Sequence, residues 1–175
     1  MSADYILIYK AKNGDFRALD TIIRRYYGDV FNFCACHAVD VHTAEDLTQD
    51  TFSSFFEKIG EYRHCGKLLN YLYTIARNKC IDESRKNKNT DVCIEYVADK
   101  LVSEKTDIEE REEQMHVRAA VNSLPSELRE SIILFYFLDK RQKDIAEICG
   151  ISLPLVKYRL KEGKKKIREY LERRS

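Results

Sequence analysis

The sequence contains few residues that break helices. Its 175 residues include only 6 glycines and 2 prolines, whereas charged residues make up 34% and apolar residues 44%. Few breakers combined with many good helix formers favour helices over a set of short strands, and the apolar content is sufficient for a folded core. We therefore predict an all-α protein.

Long apolar runs are also absent, since no stretch approaches the roughly 18 apolar residues of a membrane-spanning helix. The segment Met1–Lys10 has an early acidic residue and no pattern of a cleavable signal. The 6 cysteines are irregularly spaced, which does not indicate the disulfide framework of a small secreted protein. We expect no membrane insertion and a cytoplasmic location.

Motifs typical of enzymes are missing as well. The sequence has no phosphate-binding glycine loop, no GxSxG and no HExxH, so we predict no catalytic residue and no cofactor. Cys34, Cys36 and His37 raise the possibility of a metal site, with His42, His64 and Cys65 as further candidate ligands. Cys34 and Cys36 would lie about 200° apart on a helix, however, so both could not face one ion. We predict no metal site, and buried or incidental thiols instead.

Charge is strongly segregated along the chain, although the net charge is only +1. The acidic stretch 90–114 has few large apolar side chains, so we interpret 89–115 as an acidic linker between domains at 1–88 and 116–175. Two basic patches on either side of it favour two contacts with one polyanion, and solvated helix faces are the alternative. The net charges are −4 over 1–62, +5 over 63–88, −6 over 90–114, +1 over 115–142 and +5 over 143–175.

The segment 43–59 has the pattern of an amphipathic helix. Thr43 followed by Asp46 resembles a capping box at its start. Apolar residues such as Leu47 and Phe55 would face inward. The opposite face would then be an acidic strip that could dock on a basic helical surface of a partner, or simply face solvent. This strip consists of Glu45, Asp46, Gln49 and Asp50.

A second helix is predicted over 69–82, where Leu69, Leu72, Ile75, Ala76 and Cys80 form an apolar face. Its other residues and the preceding loop combine aromatic rings, cations and amides. Such groups suit unpaired nucleic acid, because rings stack on bases and cations meet phosphates. The aromatic residues could instead belong to the core. The candidate set is Tyr62, Arg63, His64, Lys67, Asn70, Tyr73, Thr74, Arg77 and Asn78.

The C-terminal part has the pattern of a helix-turn-helix. A helix capped by Ser123 would place Leu128, Ile132, Ile133, Phe135, Tyr136 and Leu138 toward the core. Residues 144–152 then give a helix and a tight turn at Gly150, where a positive φ is favoured. Ser152 would cap the next helix, which has Pro154 in its first turn. A basic outer surface on that helix indicates binding in a DNA major groove, with a structural hairpin as the alternative. It carries Lys157, Tyr158, Arg159, Lys161, Lys164 and Lys165.

These motifs, in this order, resemble the bacterial RNA polymerase sigma factors of the short extracytoplasmic-function (ECF) type. The resemblance covers nearly the whole chain. Tyr71 stands where the family usually has Trp, and Gly163 stands where Ala is common, at a cost of about 1 kcal/mol in helix propensity. The residues that carry the resemblance are 43–52, 71–78, Leu124-Pro125, 144–148 and 156–160.

The resemblance implies a transcription initiation factor that binds core RNA polymerase and promoter DNA. The acidic strip would bind the clamp helices of the largest polymerase subunit. The segment Tyr62–Arg85 would melt the −10 element and hold its non-template strand. Lys157, Tyr158, Lys161 and Glu162 would read bases of the −35 element, while Arg159, Lys164 and Lys165 would hold phosphates. Factors of this type are often masked by an anti-sigma factor, and the sequence leaves open whether one exists here.

Two other functions remain as alternatives. One is a stand-alone helix-turn-helix regulator whose N-terminal domain senses a ligand or dimerises. The other is an interaction protein that sequesters a transcription component without binding DNA. A sensor domain would need neither the acidic strip nor an exposed Tyr73–Arg77–Asn78 face, and a basic recognition helix argues against the sequestering protein.

Overall fold

The computed structural model describes residues 3–86 and 108–173, with side chains described from residue 112 onward in the second range. This part of the chain contains eight α-helices, and it divides into two compact units within Met1–Thr90 and Asp91–Ser175. The first unit contains α1 (Ala3–Lys12), α2 (Phe16–Ala35), α3 (Val41–Glu57) and α4 (Leu68–Lys86). The second contains α5 (Ile108–Asn122), α6 (Ser126–Ile132), α7 (Gln142–Cys149) and α8 (Leu153–Glu172).

The predicted all-α class with two helical domains is confirmed. Most of the predicted linker, 89–115, lies outside the described residues, and its last part, from residue 108, belongs to α5. Within residues 3–86 and 108–173, no helix combines the length and the apolar character that are needed to cross a bilayer.

Aspartates at two N-caps start the long helices of the first unit. The Asp15 carboxylate accepts hydrogen bonds from the backbone N–H groups of Arg17 and Ala18 at the start of α2. At α3 the cap is Asp40, whose Oδ1 lies 2.7 Å from the backbone nitrogen of Thr43. The predicted capping box beginning at Thr43 is therefore wrong, because the helix starts at Val41 and the Asp40 side chain caps it by accepting from the Thr43 N–H.

The core of the first unit lies between α2, α3 and α4. Ile22, Phe33, Phe55 and Leu72 are fully buried there. Two buried threonines on α3 have hydroxyls that are hydrogen-bonded. Thr48 donates to the carbonyl of Ala44 and Thr51 donates to that of Leu47, each at an oxygen–oxygen distance of 2.7 Å. Because these polar groups are bonded within their own helix, they add little desolvation cost to the core.

Helix α1 is held on α2 by an ion pair and buried apolar residues. The Asp4 carboxylate accepts from Arg25 Nη1 at 2.8 Å and from the Tyr26 hydroxyl at 2.7 Å. Burial, followed by the bond to Asp4, raises the pKa of Tyr26 to about 12. Ile8 and Ala11 are buried beneath the helix. The outer face of α1 is thus fixed in orientation.

In the second unit, α6 continues into a π-helical turn, Ile133–Phe137. The wider turn changes which side chains face inward: Leu134 is buried and Tyr136 is exposed. The predicted core position of Tyr136 is wrong for this reason. The predicted cap at Ser123 is also wrong, because Ser123 Oγ donates to the carbonyl of Ala120 at the end of α5.

The helix-turn-helix has the predicted turn. Gly150 has φ 64° and ψ 37°, a left-handed conformation that glycine adopts without strain. Ser152 then caps α8, where its hydroxyl accepts from the Leu155 N–H at 3.4 Å. Val156 and Leu160 are buried beneath α8, as expected.

Gly163 marks a close approach between α6 and α8. A Cβ atom at this position would lie 2.8 Å from Cγ1 and 3.0 Å from Cδ1 of Ile132, which is itself buried. The low helix propensity of glycine is therefore offset by packing that a larger residue would prevent.

We predict that Gly163→Ala lowers the free energy of unfolding by about 1 kcal/mol, because an overpacking cost of about 1–3 kcal/mol exceeds the gain in helix propensity. Gly28→Ala is the matched control, since Gly28 lies within α2 and a Cβ atom there would have no neighbour within 4 Å. This control should raise stability by up to about 1 kcal/mol. Denaturant unfolding of the full chain measures both, and equal gains would contradict the packing argument.

Candidate nucleic-acid and polymerase interfaces

The acidic strip on α3 faces away from the core of its unit. Asp46, Gln49 and Asp50 are exposed, whereas Ala44 and Leu47 are buried. Glu45 is half-buried, and its Oε2 lies 3.7 Å from Nδ1 of the exposed His42. The predicted orientation of this face is therefore confirmed. It offers the exposed carboxylates of Asp46 and Asp50 on adjacent turns, an arrangement that suits a basic helical partner.

The face of α4 predicted to bind DNA is only partly exposed. Thr74, Arg77 and Asn78 lie three and four residues apart, so they share one face. Asn78 is exposed, and Thr74 and Arg77 are half-exposed. In the loop before α4, Arg63 and Lys67 are exposed, and His64 is half-exposed. These six residues supply hydroxyl, amide, imidazole and cationic groups at the surface.

Tyr73 belongs to the core, so the prediction that it is exposed is wrong. Its side chain is 1% exposed, and its ring stacks on that of Phe33 with centroids 5.1 Å apart. Burial, aided by the charge of Asp29, raises the pKa of the Tyr73 hydroxyl above its ordinary value. Tyr73 lies four residues after Leu69 and three before Ala76, on the apolar side of α4. That spacing is the signal that should have assigned it to the core.

Asn70 and Tyr62 are also buried, contrary to their predicted place on a DNA-facing surface. The Asn70 carbonyl accepts from Thr74 Oγ1 at 3.0 Å. The Tyr62 ring packs against Tyr71, with centroids 4.6 Å apart, and its hydroxyl lies 3.3 Å from Nδ1 of His64. Tyr62 therefore supports the loop from beneath, because its ring fills the space between the loop and α4. Tyr71, which the candidate set omitted, completes this support.

The basic face of α8 lies opposite its buried residues. Lys157, Tyr158, Lys161, Lys164 and Lys165 are exposed, and Arg159 and Glu162 are half-exposed. Ser152 and Pro154 are exposed at the start of the helix. The prediction of an outward basic surface is confirmed. The candidate set missed Lys166, an exposed continuation of the same basic run that composition alone would have indicated.

Cys34, Cys36 and Cys80 of the first unit are buried, whereas Cys65 in the loop before α4 is exposed. Cys34 and Cys36 are fully enclosed, and burial raises the pKa of Cys36 to about 12. A side-chain hydrogen bond with Cys80 lowers the pKa of Cys34 and outweighs the opposing effect of burial. The structure brings together no group of three His, Cys, Asp or Glu residues that could hold a metal ion within the part of the chain that it describes.

Comparison with known protein families gives two matches, in the order in which the units occur. Residues 22–90 match the model of Sigma-70 region 2, and residues 114–167 match that of Sigma-70, region 4. Together the two matches span more than half of the chain.

Several sigma factors are similar to this chain along most of their length. The chain is 29% identical to the ECF RNA polymerase sigma factor SigM of Bacillus subtilis over 140 residues, which cover 77% of this chain and 83% of SigM. It is 28% identical to SigW of the same organism over 177 residues, or 94% of each chain.

Two solved structures share the fold. CnrH, solved in complex with the cytosolic domain of CnrY, is 21% identical and has a TM-score of 0.75 over 99% of this chain and all of that one. RpoE of Bartonella quintana, solved with the anti-sigma factor NepR, is 23% identical and has a TM-score of 0.67 over 87% of this chain and 96% of that one.

The chain belongs to the ECF-type RNA polymerase sigma factors and contains sigma-70 regions 2 and 4. As a sigma factor it binds RNA polymerase and DNA and directs the polymerase to promoters through these two regions. The family is not enzymatic. This result excludes the stand-alone regulator and the sequestering protein.

We predict that Tyr73→Ala lowers the free energy of unfolding by about 3–5 kcal/mol, because it removes a ring stacked in the core. Asn78→Ala, five residues further along α4 at an exposed position, should change it by less than about 0.5 kcal/mol. Denaturant unfolding of the full chain distinguishes them. If Tyr73→Ala unfolded like the wild type and lost only promoter melting, the ring would contact DNA rather than the core.

Proposed function

We propose that each of the three exposed surfaces has a separate task in promoter-specific initiation. The acidic strip on α3 binds core RNA polymerase. The exposed part of α4 and its preceding loop melts the −10 element and holds its non-template strand. The basic face of α8 reads the −35 element. One observation supports this proposal most strongly: each surface lies on a helix whose opposite face is buried. The buried face fixes the direction in which the charged groups of the surface point.

Binding of the acidic strip to polymerase is supported by its solvation and charge. Glu45, Asp46, Gln49 and Asp50 lie on consecutive turns of one helix, and exposed carboxylates of this kind attract a basic surface and align it. Because the carboxylates already face solvent, a basic partner can bind them without any rearrangement of the α2–α3–α4 core.

The residues that hold the −10 strand are those that reach the surface. Arg63, Lys67 and Arg77 supply cations for the backbone, while His64, Thr74 and Asn78 supply groups for bases or sugars. Tyr62, Asn70 and Tyr73 act beneath them as supports, because their side chains are buried. These three residues of the predicted site therefore position the DNA-binding surface and do not contact DNA themselves.

On α8 the central outward residues are Tyr158 and Lys161, which are opposite Val156 and Leu160. We assign base contacts to these two, together with Lys157 and Glu162, because the first turns of a recognition helix enter the groove. Arg159, Lys164 and Lys165 lie at the flanks or further along the helix and hold phosphates. Ser152 and Pro154 start the helix at the edge of the groove.

We propose that the protein acts in the cytoplasm, because bacterial polymerase and promoter DNA are found there. We also propose an anti-sigma partner that masks these surfaces. The support is the similarity in fold to RpoE, which was solved with the anti-sigma factor NepR.

The charge-reversal variant Asp46→Arg/Asp50→Arg should bind core polymerase at least about tenfold more weakly, because it places like charges against the partner. The matched control is Asp20→Arg/Asp29→Arg, which reverses two exposed acids on α2 and should bind normally. Co-elution of each purified chain with bacterial core polymerase gives the comparison. Equal binding by both variants and the wild type would rule out the α3 strip as the docking surface.

On α8, Lys161→Ala should relax the base preference at one position of the −35 element and cost about 1–3 kcal/mol on the preferred site. Lys164→Ala should weaken binding to all sequences about equally. It should also reduce the slope of log affinity against log salt concentration by about 1, because one phosphate contact is lost. Selection of random-sequence DNA by each holoenzyme, repeated at several salt concentrations, measures both. Altered base preference in Lys164→Ala, without any in Lys161→Ala, would reverse the two roles.

A further inference from the structure

Helix α1 carries a row of side chains that belongs to none of the three surfaces described above. Tyr5, Tyr9 and Lys12 occur at positions i, i+4 and i+7, so they lie on one face of the helix. No role was predicted for this segment from the sequence, although its two tyrosines have the spacing of one helical face.

Both ends of this row contact the loop that precedes α4. The Tyr5 ring lies next to that of His64, with centroids 6.4 Å apart. At the other end, Lys12 Nζ donates a hydrogen bond to the carbonyl of Tyr62. Tyr9 lies between Tyr5 and Lys12 along the same face of α1.

The two tyrosine side chains are exposed, and the helix that carries them is held in place. Tyr5 is 47% exposed and Tyr9 is 63% exposed. This helix is fixed by the hydrogen bonds that Arg25 and Tyr26 donate to the Asp4 carboxylate. A tyrosine on a rigid helix loses little side-chain entropy when a flat ligand stacks on it, because it has only two side-chain torsions.

The surroundings of the rings identify the ligand. His64 adds a third ring, and the exposed Arg63 and Lys67 add cations in the same loop. The region 63–88 as a whole carries a net charge of +5. Exposed rings alternating with cations favour unpaired nucleotides, because bases stack on the rings and phosphates meet the cations.

We propose that Tyr5 and Tyr9 of α1 stack on unpaired bases of the melted promoter strand, next to the nucleotides that α4 and its loop hold. This inference rests on the proposed −10 function and extends that surface onto a helix that the sigma-70 region 2 match, residues 22–90, does not include.

The experiment uses holoenzyme assembled from the full chain and bacterial core polymerase. The probe is a promoter fragment that the wild-type holoenzyme selects from random-sequence DNA, made as a fork whose non-template −10 strand is unpaired. Tyr5→Ala/Tyr9→Ala should bind this fork roughly tenfold more weakly. Tyr5→Phe/Tyr9→Phe, which keeps both rings, should bind within about twofold of the wild type. Ile6→Ala, at a 45% exposed position on the adjacent side of α1, is the control and should bind normally.

Three results separate the possibilities. Unchanged fork binding by Tyr5→Ala/Tyr9→Ala would overturn the inference. A weakening of core polymerase binding that by itself accounts for the loss of fork binding would also overturn it, since the rings would then dock a protein. Arg77→Ala/Asn78→Ala, measured in parallel, tests the −10 face itself. If that variant binds the fork weakly while the alanine variant of α1 does not, only the inference fails. If neither variant is weakened, the proposed −10 function fails as well. Should the double variant lose its helical content, Tyr9→Ala alone provides the same comparison.

Discussion

The stacking of Tyr73 on Phe33 sets the orientation of α4 against α2, and the candidate DNA-binding surface depends on it. With centroids 5.1 Å apart and Tyr73 almost wholly enclosed, this contact fixes one side of α4 inward. Thr74, Arg77 and Asn78 must then lie on the outer side. Close packing at Ile132 and Gly163 does the same for α8 in the second unit. In each case an interior contact determines which polar groups can reach a ligand.

The sequence correctly predicted those features that depend only on residues close together in the chain. The left-handed Gly150 and the cap at Ser152 follow from the conformations that these residues favour, and both occur in the structure. The acidic face of α3 and the basic face of α8 follow from the helical period. The orientation of these two surfaces could be predicted because each lies opposite a mainly apolar face of its helix.

Other features depend on contacts between distant segments, and the sequence did not reveal them. Tyrosine suits both a core and a nucleic-acid surface, so the place of Tyr73 depends on Phe33, forty residues earlier in the chain. The π-helical turn at Ile133–Phe137 reverses the expected exposure of Tyr136, because packing decides whether a helix admits an extra residue. The role of α1 depends on its contacts with Tyr62 and His64, which no pattern within ten residues can indicate.

The central claim is that this sigma factor directs polymerase by two separate DNA contacts. The most direct test is transcription in vitro, in which sigma-free core polymerase and the purified chain act on a random-sequence DNA library and the transcript starts are mapped. The account predicts discrete start sites with two upstream sequence blocks, one near −35 and one near −10, and loss of the −35 block alone when the basic face of α8 is neutralised. A single block, or no transcripts above those of core polymerase alone, would contradict it.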